Sequence, residues 1–169
     1  MRGTELAANA AAKIAATVRL AGPADAVSLA RLVNRAYEVE RFFVDGERTS
    51  AEEISAMQHH GLFFVLDCEG GHAAAVYVKV DGERAQLHML SVAPEHQGRG
   101  LGTRLVAVAE AYCRAHGCRF MGLQIVNLRD ELGPWYRRLG YQETQQLPYV
   151  HRALKRPCHF IEMSKPLAS

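Results

Sequence analysis

A chain of 169 residues with 49% hydrophobic and 22% charged residues has the length and make-up of one globular domain with a proper core. A formal net charge of +2, with Arg137-Arg138 and Lys155-Arg156 as pairs and no longer basic run, gives nucleic acid no footprint and excludes that partner class. No apolar run is long enough for a membrane span, and the four cysteines lack the paired spacing of a zinc site. Free thiols in a reducing cytoplasm and no metal are the simplest account.

Residues 1–16 are alanine-rich and read as a flexible leader, which leaves 17–169 as the domain. Thr17 to Leu20 is a short first strand. Gly22-Pro23 then opens a helix whose apolar face is Leu29, Leu32, Val33, Ala36 and Tyr37 at helical spacing. Residues 38–48 are polar and acidic around Phe42-Phe43-Val44, a loop with an aromatic anchor. Thr49 or Ser50 caps a second helix, with Glu52 and Glu53 at capping-box positions, and Gly61 stops it. Leu62 to Asp67 and Ala73 to Val80 are strands. Asp81-Gly82 is a hairpin signal that makes the strand Ala85 to Val92 antiparallel to the one before.

A long amphipathic helix follows, with Leu101, Leu105, Val108, Ala109 and Tyr112 along one stripe and Gly117 closing it. Arg119 to Val126 is reached by a crossover and is therefore parallel to Ala85–Val92. A last helix ends at Gly140, and Tyr141–Gln146 and His159–Ser164 are the final strands. The order β-α-α-β-β-β-α-β-α-β-β predicts a single α/β domain. Its sheet is mixed but mostly antiparallel and twisted, with six to seven strands and about four flanking helices.

Between the strand ending at Val92 and the long helix lies Ala93-Pro-Glu-His-Gln-Gly-Arg-Gly-Leu-Gly-Thr103. Glycines at 98, 100 and 102 leave bare N–H groups in the turn, the helix dipole favours negative charge there, and Arg99 adds a cation. A phosphate or pyrophosphate ligand follows. A Walker loop fits poorly, because Thr103-Arg104 follows the last glycine with no lysine. A dinucleotide fingerprint fits poorly, since the third glycine comes one residue early and Cys118 to Gln124 carries no acid.

Gln97, Gly100 and Gly102 do meet the pattern Gln-x-x-Gly-x-Gly. With the lead-in Val92 to Glu95 and the later segment Trp135-Tyr-Arg-Arg-Leu-Gly-Tyr141, the chain resembles the GCN5-related N-acetyltransferase family over roughly residues 17–165. The resemblance implies acetyl-CoA as co-substrate. Its expected contacts are the backbone of Leu90, Ser91 and Val92, the loop Gln97, Gly98, Arg99, Gly100, Leu101, Gly102 and Thr103, and Asn127 just after a strand. Asn127 stands nine positions before Tyr136, farther than the family's usual spacing, with Gly133-Pro134 between them.

Acetyl transfer from a thioester to an amine needs a held cofactor, a stabilised carbonyl oxygen, a base for the amine and an acid for the thiolate. Tyr136 occupies the position where the family carries a tyrosine near the coenzyme sulfur, and is the candidate acid. His88 is the candidate base. It is the side chain of the run Leu87–Val92 that titrates near neutrality, and strand alternation puts it on one face with Leu90 and Val92. Leu87 to Val92 also resembles the arylalkylamine acetyltransferase branch, where a histidine on this strand helps remove the amine proton. An acidic residue or a water relay is the alternative base. Glu38, Glu40, Asp45 and Glu47 could attract a cationic amine, Glu40 first, and Phe42 and Phe43 could wall it.

The expected activity is transfer to a primary amine of a small molecule by a cytoplasmic monomer or homodimer. A protein-modifying acetyltransferase, a non-catalytic coenzyme A-binding sensor and, remotely, a Rossmann dehydrogenase are the other readings.

Overall fold

The computed structural model describes residues 17–168; the alanine-rich leader lies outside the described residues. Seven strands form one sheet in the order β1-β2-β3-β4-β5-β7-β6. They are β1 (Arg19–Leu20), β2 (Leu62–Cys68), β3 (Gly71–Asp81), β4 (Arg84–Val92), β5 (Phe120–Val126), β6 (Gln142–Pro148) and β7 (His159–Pro166). Four α-helices accompany them: α1 (Ala26–Ala36), α2 (Ala51–Gln58), α3 (Leu101–Ala115) and α4 (Leu132–Arg138). The element order is the one the periodicities predict, and β4–β5 is the one parallel pair among the described strands.

Two apolar layers sandwich the sheet. On one face α1 and α2 bring Leu29, Val33 and Ile54 against Phe63, Val65, Ala75 and Tyr77. On the other, α3 and α4 bring Leu105, Val106, Ala109 and Tyr136 against Leu66, Val76, Leu87, Met121 and Leu123. Complete burial of such a side chain contributes about 1.5–3 kcal/mol, so these layers fix the sheet that carries the site.

Local chemistry sets the boundaries. The Ser50 side chain accepts the Glu53 N–H at 3.2 Å, so Ser50 is the α2 cap. Thr49 donates its hydroxyl to the Glu53 carboxylate instead, at 2.9 Å. Gly82 at φ +60 makes the β3–β4 turn, with Asp81 opposite Arg84. The first helix departs from expectation at both ends, since Pro23–Asp25 and Tyr37–Glu40 are 3₁₀ turns. Tyr37–Glu40 therefore prolongs the first helix rather than opening a loop.

Ser28, His72 and Asp67 stand in line, with His72 Nε2 2.8 Å from Ser28 Oγ and Nδ1 2.8 Å from Asp67. The Ser28 hydroxyl, however, donates to the Asp25 carbonyl at 3.0 Å, and none of the three lines the cavity described below. With Arg19 bound to both Asp25 and Asp67, the cluster is a clamp joining β1, α1, β2 and β3.

Candidate active site

The site begins where two neighbouring strands part. β4 pairs with β5 only at Arg84–Phe120, Ala85–Met121 and Gln86–Gly122. Beyond these, β4 stays with β3 as far as Val92 and β5 stays with β7 as far as Val126. The facing backbone groups of Leu87–Val92 and Leu123–Val126 therefore have no strand partner, and a wedge opens between them. Unpaired backbone of this kind must find a ligand or water.

A bulge re-aims β4 at this point. Tyr77 is opposite His88 and Ala75 is opposite Ser91, so β4 carries one residue more than β3 across the interval. Met89 absorbs the excess at φ +53, a left-handed conformation costing a non-glycine residue about 1–2 kcal/mol. The buried Ser91 hydroxyl donates to the Met89 carbonyl at 3.0 Å and holds the kink.

The extra residue reverses the strand's alternation and corrects one expectation. Leu90 and Val92 pack with the α3 layer, as Leu87 does. His88 shares the opposite face with Met89, its ring 5.9 Å from that of Tyr77. His88 is thus not on one face with Leu90 and Val92.

Beyond Val92 a 3₁₀ turn, Pro94–His96, leads into the glycine loop. Gly98 and Gly100 adopt φ +77 and +76, and Gly100 is the N-cap of α3. A Cβ on either would project into open space over the turn, where a ligand would lie. The N–H groups of Leu101, Gly102 and Thr103 open the helix without intrahelical partners, the first helical bond being Arg104 N–H to Gly100 at 3.1 Å. The Gln97 amide donates to the Val92 carbonyl at 3.3 Å and ties the loop to its strand. A pyrophosphate fits this cradle, since donors and open volume coincide.

A cavity of about 1160 Å³ runs from the loop through the wedge to the α1–α2 side of the sheet. Leu90, Val92, Gln97, Gly98, Gly100, Leu101, Gly102, Thr103, His88 and Tyr136 all line it. Three expected residues do not. Arg99 is exposed and reaches His96 at 3.4 Å, and the Ser91 side chain is spent on the bulge. Asn127 fastens the end of β5 to the start of β7: its side-chain oxygen accepts the His159 N–H at 2.8 Å, and its own N–H donates to the His159 carbonyl. That is where the longer Asn127–Tyr136 spacing leads.

Tyr136 projects from α4 into the cavity, flanked by Trp135 at 4.8 Å and Tyr141 at 5.7 Å between ring centroids. Burial pushes its phenol well above the usual range, so it is protonated at any working pH. Its hydroxyl has no hydrogen-bond partner among the described residues. Burial also lowers the His88 imidazole to about 4, helped by the charges of Arg48, Lys79 and His151. His88 is therefore neutral near pH 7, the form that accepts a proton.

Glu40 differs from expectation. It is buried, bound by Arg129 at 3.1 Å and Arg152 at 3.5 Å, so it is not free to attract an amine. Desolvation raises its pKa while both arginines oppose the rise. Sequence reasoning missed these arginines because they lie 89 and 112 residues away in the chain. Val44 bridges Leu154, Asp45 N–H donates to Ala153 at 3.0 Å and Lys155 N–H to Phe43 at 2.8 Å. The segment after β6 is thus strapped to the segment after α1, over Phe43, Val44, Tyr149 and Phe160.

A splayed parallel pair, an anion-binding helix start and one long cavity define a domain built for an extended pyrophosphate-bearing ligand. The chain belongs to the acetyltransferase (GNAT) family, whose model matches residues 27–141. That family uses acetyl-CoA, which agrees with the cradle. The fold is similar to the ribosomal-protein-S18-alanine N-acetyltransferase from Escherichia coli, with a TM-score of 0.78, 20% identity, and 90% of this chain and 94% of that chain covered. It is also similar to yncA from Salmonella typhimurium, solved with its cofactor acetyl-CoA, with a TM-score of 0.73, 20% identity, and 92% and 95% covered. Ard1 from Thermoplasma volcanium matches with a TM-score of 0.77 at 17% identity, over 90% and 98% of the two chains. No helix of the described residues is long and apolar enough to cross a membrane.

Proposed function

We propose that this protein is a cytoplasmic N-acetyltransferase that moves the acetyl group of acetyl-CoA to a primary amine of a small molecule, by direct attack in a ternary complex. The observation that carries the reading is the single cavity joining the Gly98–Thr103 loop, the β4–β5 wedge, Tyr136 and His88. Acetyl-CoA supplies an activated thioester when bound.

The chain's own residues do the rest. The α3 N-terminus and the loop N–H groups hold the pyrophosphate. The unpaired backbone of Leu90–Val92 orients the thioester arm and offers donors to the carbonyl oxygen. As the amine nitrogen bonds to the carbonyl carbon, neutral His88 accepts its proton. The carbon–sulfur bond breaks, and the Tyr136 hydroxyl donates to the sulfur that takes up the electron pair. A phenol held so far above the usual range works by lending a hydrogen bond rather than surrendering its proton.

The small-acceptor reading draws on the acceptor side being lined by Tyr149, His151 and Arg152, side chains of the segment strapped to Phe43–Asp45. Calorimetry with acetyl-CoA and thiol release over a panel of amines test the reading. We expect cofactor binding that Gly100→Val abolishes, because a β-branched residue is strained at φ +76 and its Cβ fills the cradle. Cofactor binding with thiol release at background for every amine would mark a non-catalytic coenzyme A-binding domain instead.

A further inference from the structure

The acceptor half of the cavity holds more charge than transfer to a plain amine requires. Four carboxylates line it and most are already engaged. Glu40 is held by Arg129 and Arg152, and Glu131 by Arg129 at 2.7 Å. Glu47 pairs with Arg41 at 3.0 Å, and Glu53 accepts the Thr49 hydroxyl. Arg152 is spent further on the Gly46 carbonyl at 3.2 Å.

Arg48 is the exception among the lining arginines of this half. Its guanidinium carbon stands 5.4 Å from the centre of the Tyr37 ring, and it makes no salt bridge or hydrogen bond among the described residues, acting on the Glu40 carboxylate only at longer range. It is half-buried between Tyr37, Glu40 and His88, close enough to disfavour a charge on His88. Stacking on an aromatic face orients a guanidinium and leaves its edge N–H groups free, an arrangement suited to bidentate recognition of an anion.

Resting on the proposed acetyltransferase reading, we propose that the acceptor amine also carries a carboxylate, and that Arg48 is the residue that docks it. One free guanidinium matches one negative charge. A dianionic phosphate is disfavoured, because Glu40, Glu47 and Glu53 stand around the same space. Docking has a consequence for the chemistry. A carboxylate on Arg48 cancels the charge that, after burial itself, weighs most against a proton on His88. His88 then becomes a stronger base when the correct acceptor is present, so recognition and proton transfer are coupled. An uncharged-tail amine would leave Arg48 unneutralised and His88 weak.

The test uses matched pairs of primary amines, each supplied as the free carboxylate and as its carboxamide, with amine-to-acid spacings from one to six carbons. Acetylation is measured as kcat/KM, and binding to the coenzyme A-loaded protein by calorimetry. We expect at least one acid to exceed its amide about tenfold or more in both. In Arg48→Gln the preference should vanish through acceptor KM, with acetyl-CoA affinity unchanged, and Arg48→Lys should restore part of it. The His88 imidazole, followed by NMR, should titrate at higher pH with the acid bound than without it.

Equal kcat/KM for acids and amides, binding of no acid at millimolar concentration, or a preference that survives Arg48→Gln would each overturn the proposal. Failure to bind acetyl-CoA would instead overturn the acetyltransferase reading. Acid binding lost in Arg48→Gln, in a protein that acetylates nothing, would support the anion site while removing the enzyme.

Discussion

Replacing Tyr136 by phenylalanine removes one oxygen, the one proposed to donate to the departing sulfur. The hydroxyl has no hydrogen-bond partner among the described residues, and no sealed polar atom is left unsatisfied there, so its oxygen meets the cavity rather than the core. The ring contacts with Trp135 and Tyr141 persist in the variant. Folding stability should therefore stay within about 0.5 kcal/mol of wild type, the usual range when no buried partner is orphaned. Turnover should not. A hydrogen bond to a charged group contributes about 1.5–3 kcal/mol, and the sulfur carries its charge only as the carbon–sulfur bond breaks. At about 1.36 kcal/mol per decade, kcat should fall about 10- to 100-fold. Steady-state thiol release at saturating acetyl-CoA and acceptor measures this, with calorimetry and thermal melts as controls. A kcat within twofold of wild type, with cofactor binding and stability intact, would refute the role of Tyr136 as donor to sulfur.

Three further outcomes follow from charge. His88→Ala should lower kcat/KM and abolish the acidic limb of its pH profile, and a limb unchanged in the variant would assign the base elsewhere. The same imidazole links to stability. Its folded value of about 4 lies below the unfolded 6.5, so between those values the unfolded chain binds the extra proton and stability falls as the pH falls. Denaturant melts should show His88→Ala flattening that window. The Asp25 and Asp67 clamp acts at lower pH. Arg19 lowers both carboxyls, Asp25 to about 2, so their contribution is complete above the unfolded value near 3.8 and is lost as pH falls through about 2. Arg19→Gln should raise the acid-unfolding midpoint, and an unchanged midpoint would show the clamp to be idle.

Much of this architecture is legible in the chain because its signals are local. The Asp81-Gly82 turn, the Ser50 cap and the stripe from Leu101 to Tyr112 are each written within a few residues, and the structure uses all three. The glycine loop is legible for the same reason, since Gly98 and Gly100 are needed where φ is positive. What escapes the sequence is set by partners far along it. Glu40 looks like a free acid until Arg129 and Arg152 arrive from 89 and 112 residues away. Asn127 gives no hint in the sequence of His159, which takes its side-chain oxygen from 32 residues away. Arg48 carries no motif, and the proposal for it rests on the salt-bridge and hydrogen-bond partners it lacks among the described residues.

The bulge at Met89 is the least legible feature and the one with the widest effect. Leu87-His-Met-Leu-Ser-Val92 contains no glycine or proline to mark a kink, and strict alternation would put His88, Leu90 and Val92 together. Register slips of one residue exchange the faces of everything beyond them. Here the slip sends Leu90 and Val92 to the face of α3 and α4, where Tyr136 lies, while His88 stays on the face of α1 and α2 with Tyr77. The proposed donor and base therefore approach the wedge from opposite sides of the sheet. A reaction that removes a proton from the attacking nitrogen and stabilises the departing sulfur needs two groups separated across the carbonyl, and an unbulged strand would crowd His88 and the cofactor-facing positions onto one side. On the proposed mechanism, the strain of about 1–2 kcal/mol at Met89 is the local cost of separating acceptor from cofactor.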